Sequence, residues 1–290
     1  MKIIVDDKIP YIREALDRMN ADVEYIRGAD IKPDDVAYAD ALIVRTRTRC
    51  DRHLLEGSRV EFVATATIGI DHLDTEWLDE AGIHWVNCPG CNASSVGQYI
   101  ETSLMRLGIT SGAIVGIVGC GHVGKEVEIV CERLGLETII NDPYIDDHSY
   151  VSLEEVVKHS DVITFHVPLT YKGEYPTYKM ADRRFFDMLS DRERPLECII
   201  NTCRGGVIDE QALLDAMDAG IVKRAVIDTW ENEPDINRRL LERADIATPH
   251  IAGYSADGKV KADNMVIDAL CSHFGLESPG MINPPALPPY

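Results

Sequence analysis

Short β-branched apolar runs alternate with stretches whose apolar residues recur every three or four positions along almost the whole chain. The runs Lys2–Val5, Val23–Ile26, Ala41–Val44, Phe62–Ala64 and His84–Val86 read as strands, with helical stretches such as Pro10–Met19 between them. Ser94–Leu107 reads as a helix, with Val96, Ile100, Leu104 and Leu107 at helical spacing. After a glycine-bearing break at Ile109–Gly112 the alternation restarts with Ile114–Val118, Thr138–Asn141, Val162–His166, Cys198–Asn201, Arg224–Asp228 and Asp245–Thr248. Tyr254–Phe274 is helical again, through Val260, Met265, Val266, Ala269 and Leu270. Strand–helix alternation favours parallel sheets covered on both faces. The expectation is an α/β chain of two domains. One spans residues 94–253; the other spans 1–93 and takes back 254–290, so it is discontinuous. Prolines 279, 284, 285, 288 and 289 suit an extended tail.

Composition narrows the function classes. Of 290 residues, 45% are hydrophobic and 27% charged, which suits a soluble globular chain with ample core. Asp+Glu outnumber Lys+Arg by 49 to 29, a net charge of −20. Such a chain is unsuited to coating nucleic acid or an anionic membrane, where binding depends on neutralising phosphates with Lys and Arg. An anionic substrate must instead find local positive donors. Asp6 and Asp7 stand where a signal peptide needs an apolar core, and Ala113–Cys120 is about half the length of a membrane span. Eight scattered cysteines, at 50, 88, 91, 120, 131, 198, 203 and 271, fit reduced thiols in the cytoplasm. Cys88-Pro89-Gly90-Cys91 has CxxC spacing but no second pair, and Pro-Gly reads more simply as a turn, so no metal is expected.

The strongest local motif is Gly119-Cys120-Gly121-His122-Val123-Gly124. It follows the apolar run Ala113–Val118 and opens a stretch carrying Val123, Val127, Val130 and Leu134 at helical spacing. In such a strand–turn–helix, Gly119 permits the tight turn, Gly121 lets backbone approach a pyrophosphate, and Gly124 lets helix and strand pack closely. Asp142 ends the next strand, 18 residues after Gly124, where a carboxylate accepts ribose hydroxyls and repels a 2′-phosphate, favouring NAD. The fold expected is thus two Rossmann-like doubly wound parallel-sheet domains with an interdomain active-site cleft. Three later strand ends carry reactive side chains: Asn201-Thr202-Cys203-Arg204-Gly205-Gly206, Asp228-Thr229-Trp230-Glu231-Asn232-Glu233 and Thr248-Pro249-His250-Ile251-Ala252-Gly253-Tyr254. Ligands in α/β sheets bind beyond the carboxyl ends of strands.

Together these motifs resemble the D-isomer-specific 2-hydroxyacid dehydrogenases, over nearly the whole chain and in the right order. The resemblance implies a catalytic set of Arg204, Glu233 and His250. Imidazole titrates near neutrality and can take the C2 hydroxyl proton; a carboxylate behind the ring fixes its tautomer; a guanidinium grips the substrate carboxylate or C2 oxygen through paired hydrogen bonds. Cofactor contacts implied in the same way are the three glycines, His122, Val123, Asp142, Val167, Thr202, Cys203, Arg204, Asp228 and Gly253. Substrate contacts implied are Thr46, Thr67 and Tyr254. The segments Val63–His72, Pro89–Ala93 and Pro249–Tyr254 resemble the branch of the family whose substrate is a small phosphorylated 2-hydroxy acid. Arg45, Arg47 and Arg49 alternate beside Thr46, and an extended segment would put them on one face to meet a phosphate; Arg45, which adjoins Thr46, is slightly favoured. The longer members of that branch carry a further C-terminal dimerisation domain, and the resemblance implies a homodimer. Two readings compete: another D-2-hydroxyacid dehydrogenase, acting on phosphoglycerate, glyoxylate or hydroxypyruvate, and a non-catalytic NAD-sensing protein on the same scaffold.

Overall fold

In β1 (Lys2–Asp6), Ile3 and Val5 enter one apolar cluster and Ile4 another, and all three are completely buried. That is the signature of a strand covered on both faces, and it explains why the strands read as continuous apolar runs rather than as alternating ones. A computed structural model of the chain describes residues 1–109 and 111–286; Thr110, inside the expected break, and prolines 288 and 289 lie outside the described residues.

The chain divides into two compact units, Met1–Asn92 with the chain from Ser255, and Ala93–Tyr254. The first contains β1, α1 (Ile12–Asp17), β2 (Asp22–Ile26), α2 (Pro33–Val36), β3 (Ala41–Val44), α3 (Arg52–Leu55), β4 (Phe62–Thr65), α4 (Thr75–Glu80) and β5 (His84–Val86). The second runs α5 (Ala93–Arg106), β6 (Ile114–Val118), α6 (His122–Leu134), β7 (Glu137–Asn141), α7 (Leu153–His159) and β8 (Val162–Phe165). It continues α8 (Arg183–Ser190), β9 (Leu196–Asn201), α9 (Glu210–Asp218), β10 (Val222–Ile227), α10 (Arg238–Arg243) and β11 (Ile246–Ala247). The final helix, α11 (Ala256–Phe274), belongs to the first unit: Val260, Val266, Ile267 and Leu270 are buried in one cluster with Ile3, Val5, Ile12 and Leu16. The eleven expected strands are all present. β8 and β10 stop at Phe165 and Ile227, one residue early, and leave His166 and Asp228 to begin loops.

Both sheets are parallel, with orders β2-β1-β3-β4-β5 and β11-β10-β9-β8-β6-β7. In the second, the chain leaves β6 to one side for β7 and returns on the other side for β8. That reversal opens a crevice beyond the carboxyl ends of β6 and β8, the usual ligand position in open α/β sheets.

Candidate active site

The glycine turn lies at that crevice. Gly119 has φ +90°, and a Cβ there would stand 2.7 Å from the His166 carbonyl oxygen and from Val167 Cγ1. A Cβ on Gly124 would stand 2.2 Å from the Gly119 carbonyl oxygen, so α6 lies directly on the turn. At Gly121 an added Cβ meets nothing within 4 Å, which leaves that side open. Gly121 is the N-cap of α6, with no side-chain cap; His122 is exposed and Val123 packs inward. Asp142 is pinned at the same place, its Oδ2 accepting the Cys120 N–H at 2.9 Å and its Oδ1 the Tyr144 N–H at 3.1 Å. The open turn, the helix start and the carboxylate suit a dinucleotide, with pyrophosphate at the helix N-terminus and ribose hydroxyls at Asp142. Thr202 Oγ1 is buried with no hydrogen-bond partner, a polar atom left for a ligand or water. Burial pushes the Cys203 thiol up to about 11, so it stays protonated and contributes packing surface.

Beyond β10 two of the three catalytic candidates, Glu233 and His250, meet. Glu233 is held at both oxygens: Oε1 accepts the Trp230 N–H at 2.9 Å, and Oε2 lies 2.9 Å from His250 Nδ1. The imidazole and the carboxylate are both partly open, at 47% and 36% of side-chain surface. His250 adopts φ +56°, a left-handed conformation costing a non-glycine residue about 1 kcal/mol. Its N–H donates to the Asp228 carbonyl at 2.8 Å. The buried Asp228 carboxylate accepts Ile251 N–H at 2.8 Å and Thr248 Oγ1–H at 2.5 Å on Oδ1, and Ala252 N–H at 2.9 Å on Oδ2. It therefore shapes the loop that carries His250, a task sequence reasoning did not assign to it. Arg204 stands in the turn after β9, its Nη1 donating to the Cys203 carbonyl at 2.8 Å. The next residue must be glycine: a Cβ on Gly205 would fall 2.0 Å from the Trp230 carbonyl carbon and oxygen. This close approach brings the Arg204 turn against the segment that leads to Glu233.

Sequence reasoning missed the braces of this cluster. Asn201 donates from Nδ2 to the Arg204 carbonyl at 2.9 Å and accepts the Cys203 N–H at 3.1 Å. The buried Glu210 accepts the Glu231 N–H at 2.8 Å, and its carboxyl is raised, chiefly by burial. A polar residue ending an apolar strand was the only available signal for Asn201; Glu210 had none.

The first unit holds the remaining candidates. Thr46 is exposed. Thr67 Oγ1 donates to the Gly69 carbonyl at 3.2 Å and is 2.7 Å from Thr65 Oγ1, which is 2.9 Å from His72 Nε2. With the Thr67 proton on Gly69, Thr65 donates to Thr67, and His72 donates to Thr65. This chain, with Asn87 Nδ2 donating to the Ile68 carbonyl at 2.7 Å, fixes the turn over Thr67–Gly69. The arginine run departs from expectation. Residues 45–49 form a turn, not an extended edge, because the buried Thr48 donates to the Gly28 carbonyl at 2.9 Å. The three arginines do not share one face: Arg45 donates to the Lys8 carbonyl at 2.8 Å, Arg49 pairs with Asp51 at 3.0 Å, and Arg47 is exposed. In the second unit, Gly253 lies in the turn after His250 and Tyr254 is 65% exposed. Among the described residues, no group of three or more His, Cys, Asp or Glu side chains is placed to hold a metal, and no helix is long and apolar enough to cross a membrane.

Two parallel α/β sheets, a glycine turn and a carboxylate–histidine pair beyond the strand ends define an NAD-dependent dehydrogenase class, and comparison agrees. Residues 93–252 match the family profile described as D-isomer specific 2-hydroxyacid dehydrogenase, NAD binding domain, and the chain belongs to that family. Within it, an erythronate-4-phosphate dehydrogenase of Bacteroides fragilis is 50% identical over 98% of this chain and 83% of its own length. One of Escherichia fergusonii is 41% identical over 96% of this chain and 74% of its own length. Among solved structures, the NAD+-bound 3-phosphoglycerate dehydrogenase of Entamoeba histolytica superposes with a TM-score of 0.77 at 26% identity, covering 95% of each chain. The D-lactate dehydrogenase of Aquifex aeolicus shares the fold, with a TM-score of 0.75 at 22% identity over 95% of this chain and 96% of its own.

Proposed function

We propose that the chain oxidises 4-phospho-D-erythronate at C2 to 2-oxo-3-hydroxy-4-phosphobutanoate, with NAD as acceptor. The carrying observation is the Glu233–His250 pair at 2.9 Å, in a chain 41–50% identical to proteins named erythronate-4-phosphate dehydrogenase. When bound, NAD accepts the hydrogen that leaves C2 with its electron pair. The Glu233 carboxylate accepts a hydrogen bond from the Nδ1–H of His250, which leaves Nε2 as the bare nitrogen that accepts the C2 hydroxyl proton. The same carboxylate then stabilises the imidazolium. Arg204 grips the substrate carboxylate through paired donors, helped by backbone N–H groups of the Thr67–Gly69 turn. Thr46 and Tyr254 contact the substrate, and Arg45 meets its phosphate. Asp142 accepts the ribose hydroxyls of NAD. Val167, Thr202, Cys203 and Gly253 contact the cofactor, and Asp228 holds its nicotinamide amide. The eight free cysteines support a reducing, cytoplasmic setting. Family likeness supports a homodimer, which light scattering on the eluting protein measures.

A substrate panel read by NADH absorbance tests the reading. 4-Phospho-D-erythronate should exceed unphosphorylated erythronate in kcat/KM by about 10²-fold or more, because a site built for a phosphate leaves its donors unpaired without one. Preference for unphosphorylated erythronate, glyoxylate, hydroxypyruvate or phosphoglycerate would overturn it.

A further inference from the structure

The Glu233–His250 pair is part of a closed circuit of hydrogen bonds within the second unit. From Thr248, the carbonyl accepts Trp230 Nε1–H at 2.9 Å. The Trp230 N–H donates to Glu233 Oε1 at 2.9 Å, and Glu233 Oε2 meets His250 Nδ1 at 2.9 Å. The His250 N–H donates to the Asp228 carbonyl at 2.8 Å, and Asp228 Oδ1 accepts the Thr248 hydroxyl at 2.5 Å, which closes the ring. One further side chain enters it: Tyr99, on α5, has its hydroxyl 2.6 Å from Thr248 Oγ1. Thr248 has a single hydroxyl proton and the Asp228 carboxylate takes it, so Tyr99 is the donor to Thr248. Tyr99 is half-buried and packs with the cluster of Ile100, Leu104, Val115 and Ile117, so it reaches the circuit from the fixed core. Burial raises its phenol above the ordinary value, which keeps the donated proton in place at neutral and moderately alkaline pH.

We infer that Tyr99 and Thr248 are positioning residues for the acid–base pair: through the Asp228 carboxylate they hold the left-handed turn at His250 that aims Nδ1 at Glu233. The inference rests on the reading of His250 as the base. The physical reason is that a loop held left-handed at a non-glycine residue relaxes when its anchors are removed. The imidazole then loses its alignment with Glu233, and with it the preference for the Nδ1–H tautomer that leaves Nε2 bare.

The tautomer can be read directly from ¹⁵N chemical shifts of histidine-labelled protein at about pH 8.5, where an ordinary imidazole is neutral. The His250 signals are assigned by their loss in His250→Asn. Wild type should show the Nδ1–H form. Tyr99→Phe and Thr248→Val should move the balance toward Nε2–H, and Thr248→Ser, which keeps the hydroxyl, should restore it. In parallel, kcat should fall by about tenfold in the first two variants, with KM for the 2-hydroxy acid changed less than about twofold. A structural role alone would lower the melting temperature and leave the tautomer balance as in wild type. Wild-type shifts and wild-type kcat in Tyr99→Phe and Thr248→Val would overturn the inference. If wild type oxidises no 2-hydroxy acid, the proposed function fails by itself, while the ¹⁵N shifts still decide whether Tyr99 and Thr248 set the imidazole.

Discussion

At the scale of single residues, Glu233 is constrained more tightly than a partner to His250 alone would need. Each oxygen has its own donor, the Trp230 N–H and the His250 ring. Glutamine with its carbonyl on the Trp230 N–H presents its amide N–H to His250 Nδ1, which holds the ring as the Nε2–H tautomer and removes the bare Nε2 that would take the proton. Glu233→Gln should therefore lower kcat by about 10²-fold or more, as expected for losing the orienting carboxylate of an acid–base pair. NAD affinity, measured by tryptophan fluorescence, should be nearly unchanged; a kcat within a few-fold of wild type would remove Glu233 from this role. The three segments that carry Arg204, Glu233 and His250 were legible because each follows an apolar run, and the family resemblance picked out which residue in each segment to expect at the site. The Arg45–Arg49 run was misread. Alternation predicts a common face only if the backbone is extended, and a single buried hydroxyl, Thr48 on the Gly28 carbonyl, turns it instead.

At the scale of elements, α11 was expected as a helix that returns to the first domain, and it lies in that unit. Its apolar spacing was legible, but nothing in that spacing says that it packs with α1 and the β1 residues Ile3 and Val5. Its buried Asp263 was not noticed, since an acid in a helix usually reads as surface. Asp263 is 1% exposed, and burial raises its carboxyl to about 7, opposed by the Tyr11 N–H at 3.1 Å and the positive charges of Arg45 and Lys259. The Cys88 and Cys91 thiols also face it, pushed by burial to about 12 and about 11, and so neutral. An unfolded aspartate titrates near 3.9, so the folded chain holds the extra proton across roughly pH 4–7. Stability contributed by this group is therefore full below that window, falls as pH rises through it, and is level above it. Asp263→Asn keeps an acceptor for Tyr11 and has no proton to lose. Its melting temperature should exceed wild type by about 2–4 °C at pH 8 and by much less at pH 5; an equal shift at both pH values would contradict the buried-acid account.

At the scale of the whole molecule, a net charge of −20 on 290 residues sets a self-repelling field in which anionic ligands must be held by local donors. On the proposed reading these donors are the start of α6, the Arg204 turn and Arg45. Self-repulsion also opposes the folded state. The Debye length shrinks from about 30 Å at 0.01 M salt to about 8 Å at 0.15 M, so the melting temperature should rise with NaCl over that range. A melting temperature that is flat or falls would mean that surface ion pairs, such as Arg133–Glu101 at 2.7 Å, outweigh the net repulsion.

By itself the sequence determined the alternation of strand and helix, the glycine turn with Asp142, and the three strand ends that carry Arg204, Glu233 and His250. These are local properties: apolar periodicity, glycine placement and the residue that follows a strand. Only the tertiary structure decided which groups meet. It placed a backbone carbonyl where a Gly205 side chain would stand, assigned both oxygens of Asp228 to the His250 loop, and brought Tyr99 of α5 to Thr248, 149 residues away along the chain. Such contacts depend on strand order and on which side of the sheet each connection crosses, and the periodicity of a single segment does not encode either.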